Sequence, residues 1–206
     1  MIGVAHPAAA QHIEGSHQVR AGFFASVDGA RFNFDDPLSA RAAGLGLGAT
    51  GGLEWIRPGG LVMGIEMDIG SRSGNRAVDG SVPPIRAVTN YAITLRGRLG
   101  HYMRPDMVVY ATAGLGALGS EIYADDATRT PKAHATHFGG VFGGGLEYHR
   151  GSTIFFLEAL HGRYGNRDVT LAGDTYRYKL TTTSIRLGVK FKLGHDWRDG
   201  YHSSVK

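Results

Sequence analysis

Alternation of apolar and polar residues dominates this chain of 206 residues and constrains its fold most strongly. In the clearest run, Leu61, Met63, Ile65, Met67 and Ile69 alternate with residues that are mostly small or acidic. A period of two places successive side chains on opposite faces of a β-strand, whereas an amphipathic helix repeats every ~3.6 residues. Eight such runs predict eight strands, near residues 19–27, 45–55, 61–69, 91–99, 109–117, 138–148, 153–163 and 185–193.

The connections between these runs alternate in length. Short turns are predicted at 57–60, 103–106 and 149–152, and long polar segments at 28–41, 71–88, 119–136 and 164–181. This alternation is typical of transmembrane β-barrels, whose short turns face the periplasm and whose long loops face outward. Closure of the sheet also removes the unpaired edges that lipid does not tolerate. We therefore predict an all-β fold, an eight-stranded antiparallel up-and-down transmembrane barrel.

An aromatic residue, any residue and an arginine precede each predicted short turn. The aromatic residues are Trp55, Tyr102 and Tyr148. Aromatic side chains form girdles at both membrane interfaces of such barrels, so all three are candidate interface aromatics. Tyr102 is out of phase with Leu99, which predicts either an early strand end or a β-bulge at this copy.

The polar parity of the strands combines glycine with charges of both signs. In a membrane barrel this parity faces the lumen, and an eight-stranded barrel is only wide enough for side chains to fill it. Five acids and five bases are predicted to form a lumen charge network: Arg20, Glu54, Glu66, Asp68, Arg96, Arg98, Glu147, Glu158, Arg186 and Lys190. Pairing of Glu66 and Asp68 with Arg96 and Arg98 is expected from neighbouring strands. In the seventh run Phe155 and Phe156 compete for the outer face, and Glu158 is placed inward.

Composition restricts the remaining classes of function. The chain has 32 glycines and no cysteine, which excludes a disulfide scaffold and a thiolate metal site. Its net charge of +4 favours acidic partners, and outer-membrane lipids, lipopolysaccharide and other envelope proteins are the expected ones. The sequence has no basic stripe with interleaved aromatics, so nucleic-acid binding is not expected. Bases in the predicted long segments are candidates for lipopolysaccharide phosphates: Arg72, Arg76, Arg86, Arg129, Lys132, Arg167, Arg177 and Lys179.

The central hairpin carries a family resemblance. Residues 94–119 read TLRGRLGHYMRPDMVVYATAGLGALG, and residues 143–159 read GGGLEYHRGSTIFFLEA. Both segments resemble the small alphaproteobacterial outer-membrane β-barrel proteins of the porin family or outer-membrane immunogenic group, which are OmpA-like in strand number. The resemblance implies a barrel over residues 11–194 and a place in the bacterial outer membrane. It implies a role in envelope integrity and surface interaction, with at most limited passage of small solutes.

The two ends of the chain lie outside the predicted barrel. The chain departs from the family pattern in the residues that follow Phe191, which we interpret as a periplasmic tail at 195–206. Residues 1–10 are either a signal-peptide remnant or a disordered tail.

Two other functions remain open on the sequence. A lipid A-modifying hydrolase needs a serine, a histidine and an orienting carboxylate on one face. Ser152 lies at the opposite end of its strand from His161, so we expect no catalytic residue and no enzymatic activity. A soluble lipocalin-like ligand-binding barrel would turn the apolar parity inward. His134 and His137 lack a third ligand and are interpreted as polar loop surface, so neither a metal site nor a cofactor is expected.

Overall fold

A computed structural model describes residues 16–34, 39–77, 85–124, 132–171 and 174–193. Almost all of these residues lie in eight strands, and a short 3₁₀ turn covers Pro58–Gly60. The strands are β1 (Ser16–Phe34), β2 (Ser39–Ile56), β3 (Leu61–Ala77), β4 (Ile85–Arg104), β5 (Met107–Ala124), β6 (Lys132–Arg150), β7 (Thr153–Leu171) and β8 (Asp174–Leu193). In these ranges no helix is long and apolar enough to span a membrane. The predicted segments 1–10 and 195–206 lie outside the described residues, and both interpretations stay predictions.

The eight strands form one closed barrel. Each strand pairs antiparallel with its neighbours in the chain, and β1 pairs with β8 to close the sheet. The predicted eight-stranded up-and-down barrel is therefore confirmed. The three short turns lie together at one end, here called the turn end, and the opposite end is called the distal end. Strands β1 and β2 reach the distal end at Phe34 and Ser39.

The strands are longer than the alternation predicts. They contain 17 to 20 residues, whereas about 9–11 suffice to cross the hydrocarbon layer. Much of each predicted long segment is strand, including 28–34, 71–77, 119–124 and 164–171. The prediction of long loops from residues 28, 71, 119 and 164 onward is wrong on this point. Beyond the lipid the outward residues become polar, as at Arg31, and apolar residues such as Phe32 and Leu180 face the interior. The apolar parity therefore changes face, so the lipid-facing run ends while the backbone ladder continues.

The two faces of the barrel wall have inverted polarity compared with a soluble protein. Large apolar side chains point outward and are exposed, as in Phe23 at 65% and Leu115 at 73%. The residues that alternate with them are buried in the interior and include the predicted charges. Phe155 faces outward while Phe156 and Glu158 face inward. The arrangement with the apolar parity turned inward, which a lipocalin-like barrel requires, is therefore wrong.

The aromatic–x–Arg motif marks the turn end of three strands, with one irregular copy. Trp55 and Tyr148 point outward and are exposed, as expected for interface aromatics. Tyr102 points inward, where its ring packs edge-on against His149 at 5.5 Å between centroids, and His101 takes the outward position. The assignment of Tyr102 as a membrane-interface aromatic is therefore wrong. The ladder shifts register between Tyr102 and Arg104, so a bulge absorbs the extra residue.

Two glycines of neighbouring strands provide a test of the wall packing. A Cβ built on the inward Gly114 would lie 2.1 Å from the carbonyl oxygen of Leu95. At the outward Gly97 the nearest atom would be 3.8 Å away. We expect Gly114→Ala to lower the free energy of unfolding by about 1–3 kcal/mol because overpacking forces the backbone to shift. Gly97→Ala, measured by the same denaturant titration in lipid vesicles, should be close to wild type. Equal effects of the two substitutions would contradict this packing.

Candidate functional site: the charge network of the barrel interior

The ten predicted lumen residues all lie inside the barrel. None is more than 5% exposed, although all are ionisable. Every strand except β5 contributes at least one of them, because the inward parity of each strand brings its polar residues to the common axis. They lie on β1 (Arg20), β2 (Glu54), β3 (Glu66, Asp68), β4 (Arg96, Arg98), β6 (Glu147), β7 (Glu158) and β8 (Arg186, Lys190).

Arg96 is the hub of the half of the network nearer the distal end. Its guanidinium donates to Glu66 at 2.9 Å, to Asp68 at 2.7 Å and to Glu158 at 2.8 Å. Arg186 also donates to Asp68 at 2.7 Å. One planar guanidinium therefore joins carboxylates from two strands, a geometry to which the fixed fork of arginine is suited.

Glu147 is the hub of the half nearer the turn end. It accepts from Arg98 at 2.7 Å and from Arg20 at 3.0 Å. Arg20 also pairs with Glu54 at 2.8 Å across the β1–β2 ladder. Strands β1, β2, β4 and β6 are thus tied together through charged groups at one level of the interior.

Lys190 connects the two halves into one network. Its ammonium group donates to Glu147 at 3.1 Å and also to Glu66, which is bound to Arg96 in the other half. Arg98 approaches Glu66 as well, at 3.6 Å. The five acids and five bases are therefore contiguous, and formal charge within the set sums to zero. Balance of this kind is required, because an isolated buried ion costs several kcal/mol.

Aromatic rings fill the space between these charges. The guanidinium carbon of Arg98 lies 3.8 Å from the ring centroid of Tyr110, and the Tyr110 hydroxyl donates to Glu158 at 3.1 Å. The cationic groups of Arg186 and Lys190 lie 4.4 and 4.5 Å from the ring centroids of Phe24 and Phe156. Ring faces attract cations, so these rings stabilise the bases and exclude water from the network.

Apolar residues close the interior on both sides of the charges. At the turn end, Val62, Val108 and Ile154 are fully buried. At the distal end, a larger cluster contains Ala30, Phe32, Ala42, Ala92, Leu118, Val141, Leu160, Tyr164, Tyr178 and Leu180. The interior is therefore layered along the axis, with the charge network between a small apolar group at the turn end and a larger, mostly apolar cluster at the distal end, where Asp28 and Arg72 also lie.

A hydrogen-bonded group of three residues lies within the distal cluster. Ser120, His137 and Tyr178 contact one another at 3.0–3.1 Å and come from β5, β6 and β8. The interpretation of His137 as polar loop surface is wrong, since it is fully buried in a strand. His134 points to the other face, with its side chain 67% exposed, and contacts Glu121 at 3.1 Å. The two histidines do not converge, and no group of metal-ligating residues occurs among the described residues. The alternation that turns Leu118 inward continues to Ser120 within residues 118–120. This pattern is the sequence signal that predicts the group.

Other candidates from the sequence are dispersed. Arg72 lies inside the barrel at 3.7 Å from Asp28, so its assignment as a loop base for lipopolysaccharide is wrong. Arg177 pairs with Asp168 at 3.1 Å on the outside. Lys179 points outward and is exposed. The strands contain Arg76, Arg86, Lys132 and Arg167, whose side chains are not described, and Arg129 lies outside the described residues.

The components proposed for a hydrolase do not meet. Glu158 points into the interior, whereas His161 lies on the outer face and hydrogen-bonds to Thr183 at 3.1 Å. Ser152 lies in a turn at the opposite end of the barrel. A nucleophile, a base and an orienting carboxylate are therefore not assembled from these three residues.

Removing the hub of the network is expected to destabilise the barrel. Arg96→Ala leaves three buried carboxylates without a common partner, and breaking a buried ion pair costs about 3–5 kcal/mol. We expect a loss of that order in the free energy of unfolding, measured by denaturant titration in vesicles. The matched control is Arg104→Ala, since Arg104 is exposed beside a turn. Equal stability of the two variants would show that the network contributes little.

Comparison with known proteins agrees with this architecture. The family model of the outer membrane protein beta-barrel domain matches residues 1–192. The 25 kDa outer-membrane immunogenic protein of Brucella abortus biovar 1 is 32% identical over 134 residues, which is 65% of this chain and 59% of that protein. Its counterpart in Brucella melitensis biotype 1 is 31% identical over the same shares. The chain thus spans about three fifths of the length of the curated relatives it matches.

Solved structures share the fold at low sequence identity. Neisserial surface protein A superposes with a TM-score of 0.52 at 13% identity, covering 84% of this chain and 97% of that one. The outer membrane protein AlkL, solved in lipid bilayers, gives a TM-score of 0.50 at 13% identity over the full length of both chains. These likenesses bear on the fold alone. With the barrel, its inverted polarity and the family match together, the chain belongs to the outer membrane protein beta-barrel domain family of the bacterial outer membrane.

Proposed function

We propose that this protein is a structural barrel of the outer membrane with a sealed interior. It supports envelope integrity and presents a surface on the outside of the cell, and it passes small solutes at most to a limited extent. The observation that carries the proposal is the burial of ten paired charges in one contiguous network that crosses the lumen.

A conducting lumen needs a continuous path of water. In this interior the charged groups bind one another and aromatic rings occupy the space between them. Mostly apolar layers lie on both sides of the charge network, where a hydrated ion would lose most of its water without a replacement. Eight strands enclose too narrow a space to hold both this side-chain filling and a water column. A sealed barrel is therefore favoured over a porin that lets solutes pass freely.

A role at the cell surface is supported by the length of the strands. Strands of 17 to 20 residues, tilted as in other barrels, give a wall roughly 45 Å tall against an apolar band of about 25 Å. The wall therefore extends well beyond the lipid, mainly at the distal end, where the period-two signal fades. The Brucella relatives carry names that describe immunogenic outer-membrane proteins, which is in keeping with an exposed surface.

Conductance measurements test the sealed interior. In planar lipid bilayers, the wild-type protein is expected to show no stable open state. Arg96→Ala should lower stability more than it raises conductance, because the neighbouring side chains collapse into the space that the guanidinium leaves. A large increase in conductance with unchanged stability would overturn the proposal, as would a stable open channel in the wild type.

One observation favours a second candidate, a hydrolase built on Ser120 and His137. The Ser120 hydroxyl lies 3.1 Å from Nε2 of His137, the spacing of a nucleophile and its base. The third member of the group is Tyr178 rather than a carboxylate, and Ser120 and His137 are at most 2% exposed. A buried dyad of this kind is inaccessible to a lipid substrate unless the distal cluster opens.

A serine-reactive fluorophosphonate probe separates the two candidates. We expect the folded wild-type protein in micelles to react no faster than the Ser120→Ala variant, because the hydroxyl is enclosed. The unfolding midpoint of that variant serves as its folding control. Labelling that depends on Ser120, and that is lost in His137→Gln, would favour the hydrolase instead.

A further inference from the structure

Four basic residues form a patch on the outer face near the distal end. They are Arg31 on β1, Arg41 on β2, Arg163 on β7 and Lys179 on β8, and all are exposed. These strands are contiguous around the barrel in the order β2, β1, β8, β7. The same outward face, a few residues nearer the turn end, carries the exposed apolar residues Val27, Leu45 and Ile185. The basic patch therefore begins where the lipid-facing surface ends.

The arrangement within the basic patch is electrostatically unfavourable on its own. Arg31 and Arg41 are direct partners in the β1–β2 ladder, with both side chains outward. Arg31 is also the partner of Thr181, which in turn faces Arg163, so three arginines lie on one row across four strands. Like charges directly opposite in a sheet are destabilising. An anion bound over the row would relieve this repulsion.

The protein does not supply that anion in the part of the chain described. Within the described ranges, none of the four bases of the basic patch forms an ion pair. Nearby Arg177 differs, since it pairs with Asp168 on the same face at 3.1 Å. The described outward carboxylate of β7, Asp168, is thus bound to Arg177, and it forms no ion pair with any of the four bases of the basic patch.

The opposite side of the barrel has a different surface at this level. Where the apolar belt ends on β3, β4 and β6, the outward residues are Ser71, Tyr91 and Thr136. Tyr91 and Thr136 hydrogen-bond to each other at 2.9 Å, so they need no ion. Among the side chains that the structure describes, the unpaired outward bases near the distal end therefore lie on one side of the barrel, as expected for a binding surface.

We infer that the basic patch binds the phosphate groups of lipopolysaccharide in the outer leaflet. Arginine forks suit phosphate oxygens, and each base near an anionic membrane surface contributes to binding. The apolar residues directly below contact the acyl chains of the same molecule, which selects a phosphorylated lipid over free phosphate. The inference rests on the membrane location of the proposed function, but it does not depend on whether the lumen is sealed.

Binding of lipopolysaccharide to the full-length protein in non-ionic micelles tests this assignment. The test variant carries Arg31→Gln, Arg41→Gln, Arg163→Gln and Lys179→Gln, and the matched control carries Arg57→Gln, Arg104→Gln and Arg150→Gln. The control bases are also exposed but lie at the turn end. If each base strengthens binding about fivefold, the loss of four should weaken the affinity of the test variant by a factor of about 100 or more. The control variant should bind as the wild type does.

Two further ligands identify the source of the phosphate. Lipopolysaccharide treated with phosphatase should bind weakly to both wild type and test variant. Inorganic phosphate at the same concentration should not compete. Equal affinity of the wild type and the test variant for intact lipopolysaccharide would overturn the assignment. Competition by inorganic phosphate would show that a free anion, not the lipid, is bound.

Because Arg31 and Arg41 oppose each other in the ladder, we expect the effect of Arg41→Gln on the thermal midpoint to change sign when lipopolysaccharide binds. A merely structural role would not produce this change of sign. Without lipopolysaccharide, Arg41→Gln should raise the thermal midpoint by relieving its repulsion from Arg31. With saturating lipopolysaccharide, the same substitution should lower the midpoint relative to wild type, since a phosphate contact is lost. A shift of the same sign under both conditions would contradict the proposed role. A change in bilayer conductance is not expected, so failure here is distinguishable from failure of the sealed-lumen proposal.

Discussion

Ion pairing inside a narrow barrel governs both the stability and the strand register of this protein. Inverted polarity of the wall sends the charged parity of seven strands toward one axis. Low-dielectric surroundings make each unpaired ion expensive, so the charges must meet partners of opposite sign. Arg96, Glu147 and Lys190 meet this requirement by joining carboxylates and bases from different strands. A slip of one residue in any of these seven strands would turn its charges into lipid, so the network also specifies register.

Much of this arrangement could be predicted from residue parity alone. Alternation identified the strands and assigned Glu66, Asp68, Arg96 and Arg98 to the interior, because a strand that touches lipid on one face has no freedom to mix its faces. The individual ion-pair partners were harder to predict. The β3–β4 contacts follow from adjacency, whereas the bond from Arg20 to Glu147 joins strands that are not neighbours. Such contacts depend on barrel shear and on side-chain length, which a linear pattern does not contain.

Prediction failed where the apolar residues change face or where register shifts. Beyond the lipid the outward residues become polar and apolar residues such as Phe32 turn inward, so strand was interpreted as loop and the buried His137 as surface. Tyr102 was grouped with Trp55 by motif, although a single extra residue reverses the face of a strand residue. Arg72 was assigned to a loop for the first reason. Of the outer basic patch only Lys179 was a candidate, because Arg31 and Arg41 lie in the segment 28–41 that was predicted as a loop and become partners only in the ladder.

We expect the buried charges to act as one network and not as independent residues. A double-mutant cycle between Arg96→Met and Glu158→Gln measures this most directly, since their side chains lie 2.8 Å apart. Unfolding free energies of the wild type, both single variants and the double variant would be determined in the same lipid vesicles. A single network should give a coupling free energy above about 1 kcal/mol. Additivity within about 0.5 kcal/mol would contradict it.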